Sequence, residues 1–218
     1  MYRLHQIDDW ASLIIRMTLE EMGVEYELKR HDFDAGTLDR PGFRALNPQG
    51  LIPVLETDGG PIFETAAILL WLADRHGRMA PGPAAPARGA FLSWFMFTAN
   101  SLHPTVLALI HPERISGPIG EGPVCQSALA RLHRHCALLE TLLEADPDWL
   151  GMPSVLTPYL AVLLRWGQML AADPTCNLDL TGYPALVAHL RAFEARPAVA
   201  RTTLAEALGL TPFSNPQE

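Results

Sequence analysis

A proline-rich stretch divides this sequence into two regions with different hydrophobic periodicity. Residues 79–86 read Met-Ala-Pro-Gly-Pro-Ala-Ala-Pro, a composition typical of a linker. Strand and helix patterns alternate before this stretch, whereas helical patterns alone come after it. The sequence therefore predicts a first domain at residues 1–79, a linker at residues 80–86 and a second domain at residues 87–218.

The first region has the order β-α-β, a loop, and then β-β-α. Ser12 is expected to cap the first helix and Gly23 to end it. The predicted elements are strands at 2–7 and 24–29, a helix at 13–22, a hairpin with strands at 52–56 and 61–63, and a helix at 64–76. This order predicts an α+β domain in which helices pack on a small mixed sheet.

The second region is predicted to be all-α. Helical patterns cover approximately residues 87–110, 125–145, 154–171, 183–195 and 197–208. Prolines stand at or near the ends of these stretches, where a helix tolerates them.

Composition and charge indicate which kinds of binding partner and which cellular compartment to expect. Hydrophobic residues make up 49% of the chain and charged residues 18%, which excludes a disordered protein. The net charge is -8 and no basic patch occurs, so nucleic acid and anionic membrane are not expected partners. The three cysteines form no C-x-x-C motif, and the N-terminus lacks a signal pattern. We therefore expect a cytoplasmic protein.

The most informative motif is N-P-Q-G-L-I-P-V-L at residues 47–55. Pro53 stands at the mouth of a predicted strand, where an X-Pro bond can be cis. A cis bond would turn the backbone N–H and C=O of Ile52 outward, ready to pair with an extended peptide ligand. The alternative is an ordinary loop that enters a strand.

A second motif, E-T-A-A-I, opens the next predicted helix. The Glu64 carboxylate can accept a hydrogen bond from a ligand ammonium group. The Thr65 hydroxyl and the free N–H groups of the helix start can hold a ligand carboxylate. The γ-glutamyl group of glutathione presents both charges on one carbon. Alternatively, Glu64 and Thr65 only cap the helix and complement its dipole.

Together the two motifs and the helical second region resemble the cytosolic glutathione transferases. The runs at residues 159–166, 178–184 and 196–199 are similar to bacterial members, the beta class especially. The resemblance implies a thioredoxin-like first domain, a cis bond at Pro53, and a glutathione site that uses Ile52, Glu64 and Thr65. It also implies a homodimer with a hydrophobic substrate site between the domains.

The sequence departs from the beta-class pattern at the start of the first helix. Beta-class members carry a cysteine there, whereas this chain has no cysteine before Cys125, which argues against disulfide reduction by a thiolate at that helix. Ser12 is the nearest hydroxyl and is predicted to donate to the glutathione sulfur, in addition to or instead of capping. Trp10 is an alternative donor through its indole N–H. Gln49 is a possible substitute for the polar residue that family members place where Leu51 stands.

The substrate side is less well specified by the sequence. His103 falls where the long helix of the second domain would face the cleft, and is a candidate pocket residue with Trp10. Tyr159 and Trp166 lie on the substrate-side helix of the family and could equally be core residues. No pair of histidines has a spacing that predicts a metal site.

Two functions are consistent with these features. The first is an enzyme, a glutathione transferase that adds the glutathione thiolate to a small hydrophobic electrophile. The second is a glutathione-binding or protein-interaction module of the same fold with little or no catalysis. Turnover of electrophiles, measured beside direct glutathione binding, distinguishes them.

Overall fold

The computed structural model describes residues 1–117, 120–146, 148 and 153–217. Its N-terminal region contains a four-stranded mixed sheet in the order β2-β1-β3-β4. The strands are β1 (Tyr2–Gln6), β2 (Tyr26–Arg30), β3 (Val54–Thr57) and β4 (Gly60–Phe63). β1 is parallel to β2 and antiparallel to β3, which in turn pairs antiparallel with β4. This is the predicted thioredoxin-like arrangement.

The remaining regular structure of the described residues is helical. The α-helices are α1 (Ser12–Met22), α2 (Pro41–Arg44), α3 (Thr65–His76), α4 (Arg88–Phe97), α5 (His103–Ile110), α6 (Glu113–Ser116), α7 (Glu121–Ala145), α8 (Leu156–Met169), α9 (Pro184–Glu194) and α10 (Pro197–Ala205). Every strand of the described residues lies before α3, as predicted. Short helical turns such as α2 were not predicted, because one turn is too short to show a periodicity.

Two local predictions at α1 were wrong. Ser12 is the first helical residue and Ala11 occupies the N-cap position, without a side-chain cap. The next strand begins at Tyr26 rather than at residue 24, because the Val24 N–H closes the end of α1 by donating to Leu19 O. Gly23 adopts φ 61°, the left-handed conformation that allows this closure.

The predicted helix at residues 87–110 is interrupted. α4 and α5 are separated by a π-helical turn, Thr98–Leu102. Such turns are rare and occur frequently at functional sites. The turn places His103 at the first position of α5.

One continuous core joins the sheet region to the helical region. Leu4 and Leu13 from the first region belong to the same buried cluster as Phe95 and Leu160 from the second. α1 packs against both α8 and α10. The start of α1 is therefore held by the helical region as well as by its own sheet.

Candidate functional site

The peptide bond between Ile52 and Pro53 is cis, as predicted. The turn before it is held by Asn47, whose side chain donates to Leu51 O over 2.7 Å and accepts from Gln49 N over 3.0 Å. Among the described residues, neither the backbone N–H nor the C=O of Ile52 has a hydrogen-bond partner. The backbone of Ile52 is thus free to pair with an extended ligand.

Glu64 and Thr65 stand at the start of α3. Glu64 adopts φ 72° and ψ 121°, a left-handed φ that is uncommon for a glutamate. Its side chain does not cap the helix and instead accepts a hydrogen bond of 2.9 Å from Gln49 Nε2. Thr65 is buried at the first helical position. The two motifs predicted to bind glutathione therefore meet, and the Glu64 carboxylate keeps its second oxygen for a ligand.

A cavity of about 440 Å³ opens beside these residues. Its walls come from α3, α4, the π-helical turn, α5 and α8. The lining residues are Glu64, Thr65, Ala66, Ala67, Leu70, Phe95, Met96, Ala99, Asn100, His103 and Tyr159. Predicted glutathione residues and predicted substrate-side residues thus line one cavity, most of whose other walls are apolar.

His103 and Tyr159 form a pair at the wall of this cavity. His103 Nδ1 lies 2.9 Å from the Tyr159 hydroxyl. Burial lowers the pKa of His103 to about 4 and raises the pKa of Tyr159 above its usual value. Both side chains are therefore uncharged at neutral pH, and the pair can donate or accept hydrogen bonds without carrying charge.

Trp166 is a core residue and does not line the cavity. Its ring centroid lies 6.1 Å from that of His103. Its indole Nε1 donates over 3.0 Å to Asp9 O, in the loop between β1 and α1. Of the two residues left open between core and pocket, Tyr159 is thus both buried and cavity-lining, whereas Trp166 is buried next to His103 and is not part of the cavity lining.

The β1–α1 loop carries the two side chains predicted to act on the ligand sulfur. Trp10 is half-buried, packs against a small apolar cluster that includes Ile52 and has its ring centroid 5.1 Å from that of Phe33. Ser12 is fully buried. Its hydroxyl donates to Ile7 O over 2.9 Å and accepts from Ile7 N over 3.3 Å. The fold therefore brings Trp10 to the apolar cluster that contains Ile52 and gives the Ser12 proton a partner within the loop.

Sequence reasoning missed the residues that hold this loop from the helical region. Arg165 donates to both carboxylate oxygens of Asp9, over 3.0 and 2.9 Å, and Glu206 accepts from Asp9 N over 2.8 Å. Asp9 itself has φ 55°. No local pattern could reveal these contacts, because the partners of Asp9 are 156 and 197 positions away.

The cysteines, the metal-binding residue types and the long helices of the described residues bear on whether the chain has a reactive thiol, a metal site or a membrane span. Cys125, Cys136 and Cys176 are all buried in the helical region. Within 1–117, 120–146, 148 and 153–217, no cluster of three or more His, Cys, Asp or Glu residues could hold a metal ion. Over the same residues, no helix has the length and apolar character needed to cross a membrane.

Comparisons with known proteins agree with this geometry. Residues 11–75 match the family described as glutathione S-transferase, N-terminal domain. Glutathione S-transferase F10 of Arabidopsis thaliana is 35% identical over 96 residues, an alignment that spans 43% of this chain and 45% of the plant protein. The disulfide-bond oxidoreductase YfcG of Escherichia coli (strain K12) is 28% identical over 202 residues, which cover 89% of this chain and 91% of that protein.

A solved structure extends the likeness to the whole architecture. The glutathione S-transferase of a sphingomonad, complexed with glutathione, superposes with a TM-score of 0.79 at 28% identity, covering 95% of this chain and 100% of that one. The resemblance predicted from the two motifs is therefore confirmed, and the shared architecture covers 95% of the chain. Residues 11–75 match the glutathione S-transferase N-terminal domain family, and the chain as a whole is similar to glutathione S-transferases.

Proposed function

We propose that this protein is a glutathione transferase that adds the glutathione thiolate to a small hydrophobic electrophile. The observation that carries the proposal is the single cavity lined both by Glu64 and Thr65 and by His103 and Tyr159. Glutathione bound in the related sphingomonad structure supports the choice of ligand. The apolar side chains of Leu70, Phe95 and Met96 suit an apolar second substrate.

The central peptide portion and the γ-glutamyl end of glutathione both have complementary groups in this site. Ile52 offers a free backbone N–H and C=O for the central peptide portion. Glu64, oriented by Gln49, would accept from the ammonium of the γ-glutamyl group. The Thr65 hydroxyl and the N–H groups at the start of α3 would hold its carboxylate.

Activation of the thiol is assigned to the start of α1. Helix N-termini favour a thiolate over a thiol. The backbone N–H groups after Trp10 would therefore stabilise the glutathione thiolate, regardless of which side chain also donates to the sulfur. The Trp10 indole is the preferred side-chain donor, because the Ser12 hydroxyl would first have to release Ile7 O. His103 is too weak a base to remove the thiol proton at neutral pH, since burial lowers its pKa to about 4. A neutral imidazole can still donate a hydrogen bond to a developing anion.

A glutathione-binding module with little catalysis is the second candidate. Two observations favour it: the Ser12 hydroxyl is engaged within the loop, and Leu51, 47% exposed, occupies the position where family members often carry a polar residue. Binding would then serve recognition of a partner or storage of the ligand. Fold alone does not separate these roles.

Disulfide reduction through a cysteine of this chain is not proposed. The relative from Escherichia coli is named a disulfide-bond oxidoreductase. Here, burial raises the pKa of Cys136 to about 12 and that of Cys176 to about 11, which disfavours the reactive thiolate. A disulfide substrate belongs in the assay because bound glutathione could itself supply the thiol.

The deciding experiment combines calorimetric titration with glutathione and turnover on a panel of electrophiles plus one glutathione mixed disulfide. We expect binding together with conjugation of at least one apolar electrophile. Binding without turnover of any substrate would establish the module instead. Absence of glutathione binding would exclude both candidates. Turnover of the disulfide alone would replace conjugation by reduction at the same site.

A further inference from the structure

Every polar backbone and side-chain group of Asp9 is bound by the helical region. Arg165, on α8, donates to both oxygens of its carboxylate, and Trp166 donates to its carbonyl oxygen. Glu206, directly after α10, accepts from its N–H. We call Asp9, Arg165, Trp166 and Glu206 the Asp9 network.

The buried charges of this network are held in one geometry. Arg165 is 5% exposed and Glu206 is 7% exposed. Glu206 also accepts hydrogen bonds from Gln6 Nε2 and Arg16 Nη1, over 2.9 and 3.0 Å. Burying charges contributes little net stability unless the geometry is good, whereas breaking such a set is costly. The network is thus better suited to fixing the conformation of the loop than to adding stability.

The conformation of Asp9 sets the position of Trp10 and of the start of α1. Asp9 has φ 55°, a left-handed conformation in which aspartate and asparagine are enriched. The next residue, Trp10, packs against the apolar cluster that contains Ile52, and α1 begins two residues later. A change at Asp9 would therefore displace both the indole and the first N–H groups of α1 relative to the cis-proline turn.

We propose that Asp9 is a positioning residue, through which Arg165, Trp166 and Glu206 set the thiol-activating loop of the glutathione site. The inference rests on the proposed function, since it concerns the sulfur end of the same site. Asp9 would touch neither substrate; it would act through Trp10 and the start of α1. Docking of the helical region would thereby complete the sulfur end of a site whose other ligand groups belong to the sheet region.

The test uses the double variant Asp9→Asn/Arg165→Gln. Both charges are removed together, so no unpaired charge remains to shift the thiol pKa by electrostatics alone. Asparagine also tolerates the left-handed φ. Ultraviolet titration of bound glutathione and the pH profile of kcat/KM report thiol activation. Affinity for S-methylglutathione, which has no thiol, reports whether the rest of the site is intact.

We expect the thiol pKa to rise by about one unit and kcat/KM at neutral pH to fall about 10-fold. S-methylglutathione affinity should change less than about 2-fold, because Ile52, Glu64 and Thr65 are untouched. The matched control is Glu21→Gln, which removes the ion pair with Arg196 that also joins α1 to the helical region. This control should leave the thiol titration unchanged.

If the double variant does not fold, Trp166→Phe removes the indole hydrogen bond to Asp9 O while keeping an aromatic ring, although a smaller one, in the core, and the thiol pKa should shift in the same direction. An unchanged thiol titration and pH profile would overturn the positioning role, and so would a loss of kcat/KM equal to that in Glu21→Gln. Neither result would contradict the proposed function. A wild-type protein with neither thiolate signal nor turnover would instead overturn the proposed function, and this inference with it.

Discussion

The side-chain amide of Gln49 donates a hydrogen bond of 2.9 Å to Oε1 of Glu64. The bond connects the turn before the cis-proline to the start of α3, so two motifs separate in sequence form one ligand-facing edge. It also orients a carboxylate whose own backbone has the uncommon φ of 72°. Backbone outliers of this kind cluster at ligand sites, where the surrounding structure maintains them.

Replacing Glu64 by glutamine should weaken glutathione binding by about 1.5–3 kcal/mol, the range for a hydrogen bond to a charged group. Calorimetry measures the change directly. Asp58→Asn, which removes an exposed carboxylate from the β3–β4 turn, is the matched control and should bind like the wild type. Equal glutathione affinity in Glu64→Gln and wild type would show that Glu64 belongs to the start of α3 without binding the ligand.

Ser12→Ala tests the catalytic prediction made for this hydroxyl. The structure has the hydroxyl bound to Ile7 O and Ile7 N, so we expect the free energy of unfolding to fall by about 1 kcal/mol and the thiol titration to stay unmoved. Thermal melts and thiolate absorbance measure the two quantities. A raised thiol pKa with a loss in kcat/KM of about 10- to 100-fold would instead assign catalysis to Ser12.

His103 should make stability depend on pH. Its pKa is about 4 in the folded protein and near 6.5 when unfolded, so between these values the unfolded chain binds the proton that the folded chain rejects. Stability should therefore fall as pH falls from 6.5 to 4, by at most about 3 kcal/mol from this group. Urea unfolding at several pH values should show a shallower dependence in His103→Gln. Parallel curves for the two proteins would contradict the buried, neutral state of His103.

The three cysteines should be unreactive in the folded protein. All are buried, and burial raises the pKa of Cys136 to about 12. At mildly alkaline pH we expect a thiol-specific disulfide reagent to label the chain only after denaturation. Rapid labelling of the native protein would show that an exposed thiolate exists. Disulfide reduction by a cysteine of this chain would then be a candidate activity again.

A homodimer is the expected state in solution. Large apolar side chains are exposed away from the cavity, including Leu107 on α5 at 37% and Leu138 on α7 at 51%, and a second copy could cover such surface. Sedimentation equilibrium at micromolar concentration should give twice the mass of the chain. The mass of a single chain would count against the dimer.

The glutathione end of the site was predictable because its signals are local. Pro53 marks a cis bond at a strand entrance, and Glu64 with Thr65 marks a helix start; neither needs a distant partner to be recognised. The cis bond was confirmed, and both motifs lie together in the structure. The role of each residue toward glutathione stays a prediction until binding is measured.

Local signals were enough to predict the order of the elements, the absence of strands from the described part of the second region and the resemblance to glutathione transferases, since hydrophobic periodicity, proline and glycine act within a few residues of the chain. Only the tertiary structure shows that Ser12 is hydrogen-bonded to Ile7, that His103 pairs with Tyr159, and that Asp9 is bound by Arg165. The members of the last two pairs are 56 and 156 positions apart. Such contacts depend on how α1, α5 and α8 pack around one core, and helical periodicity does not specify which polar groups that packing brings together.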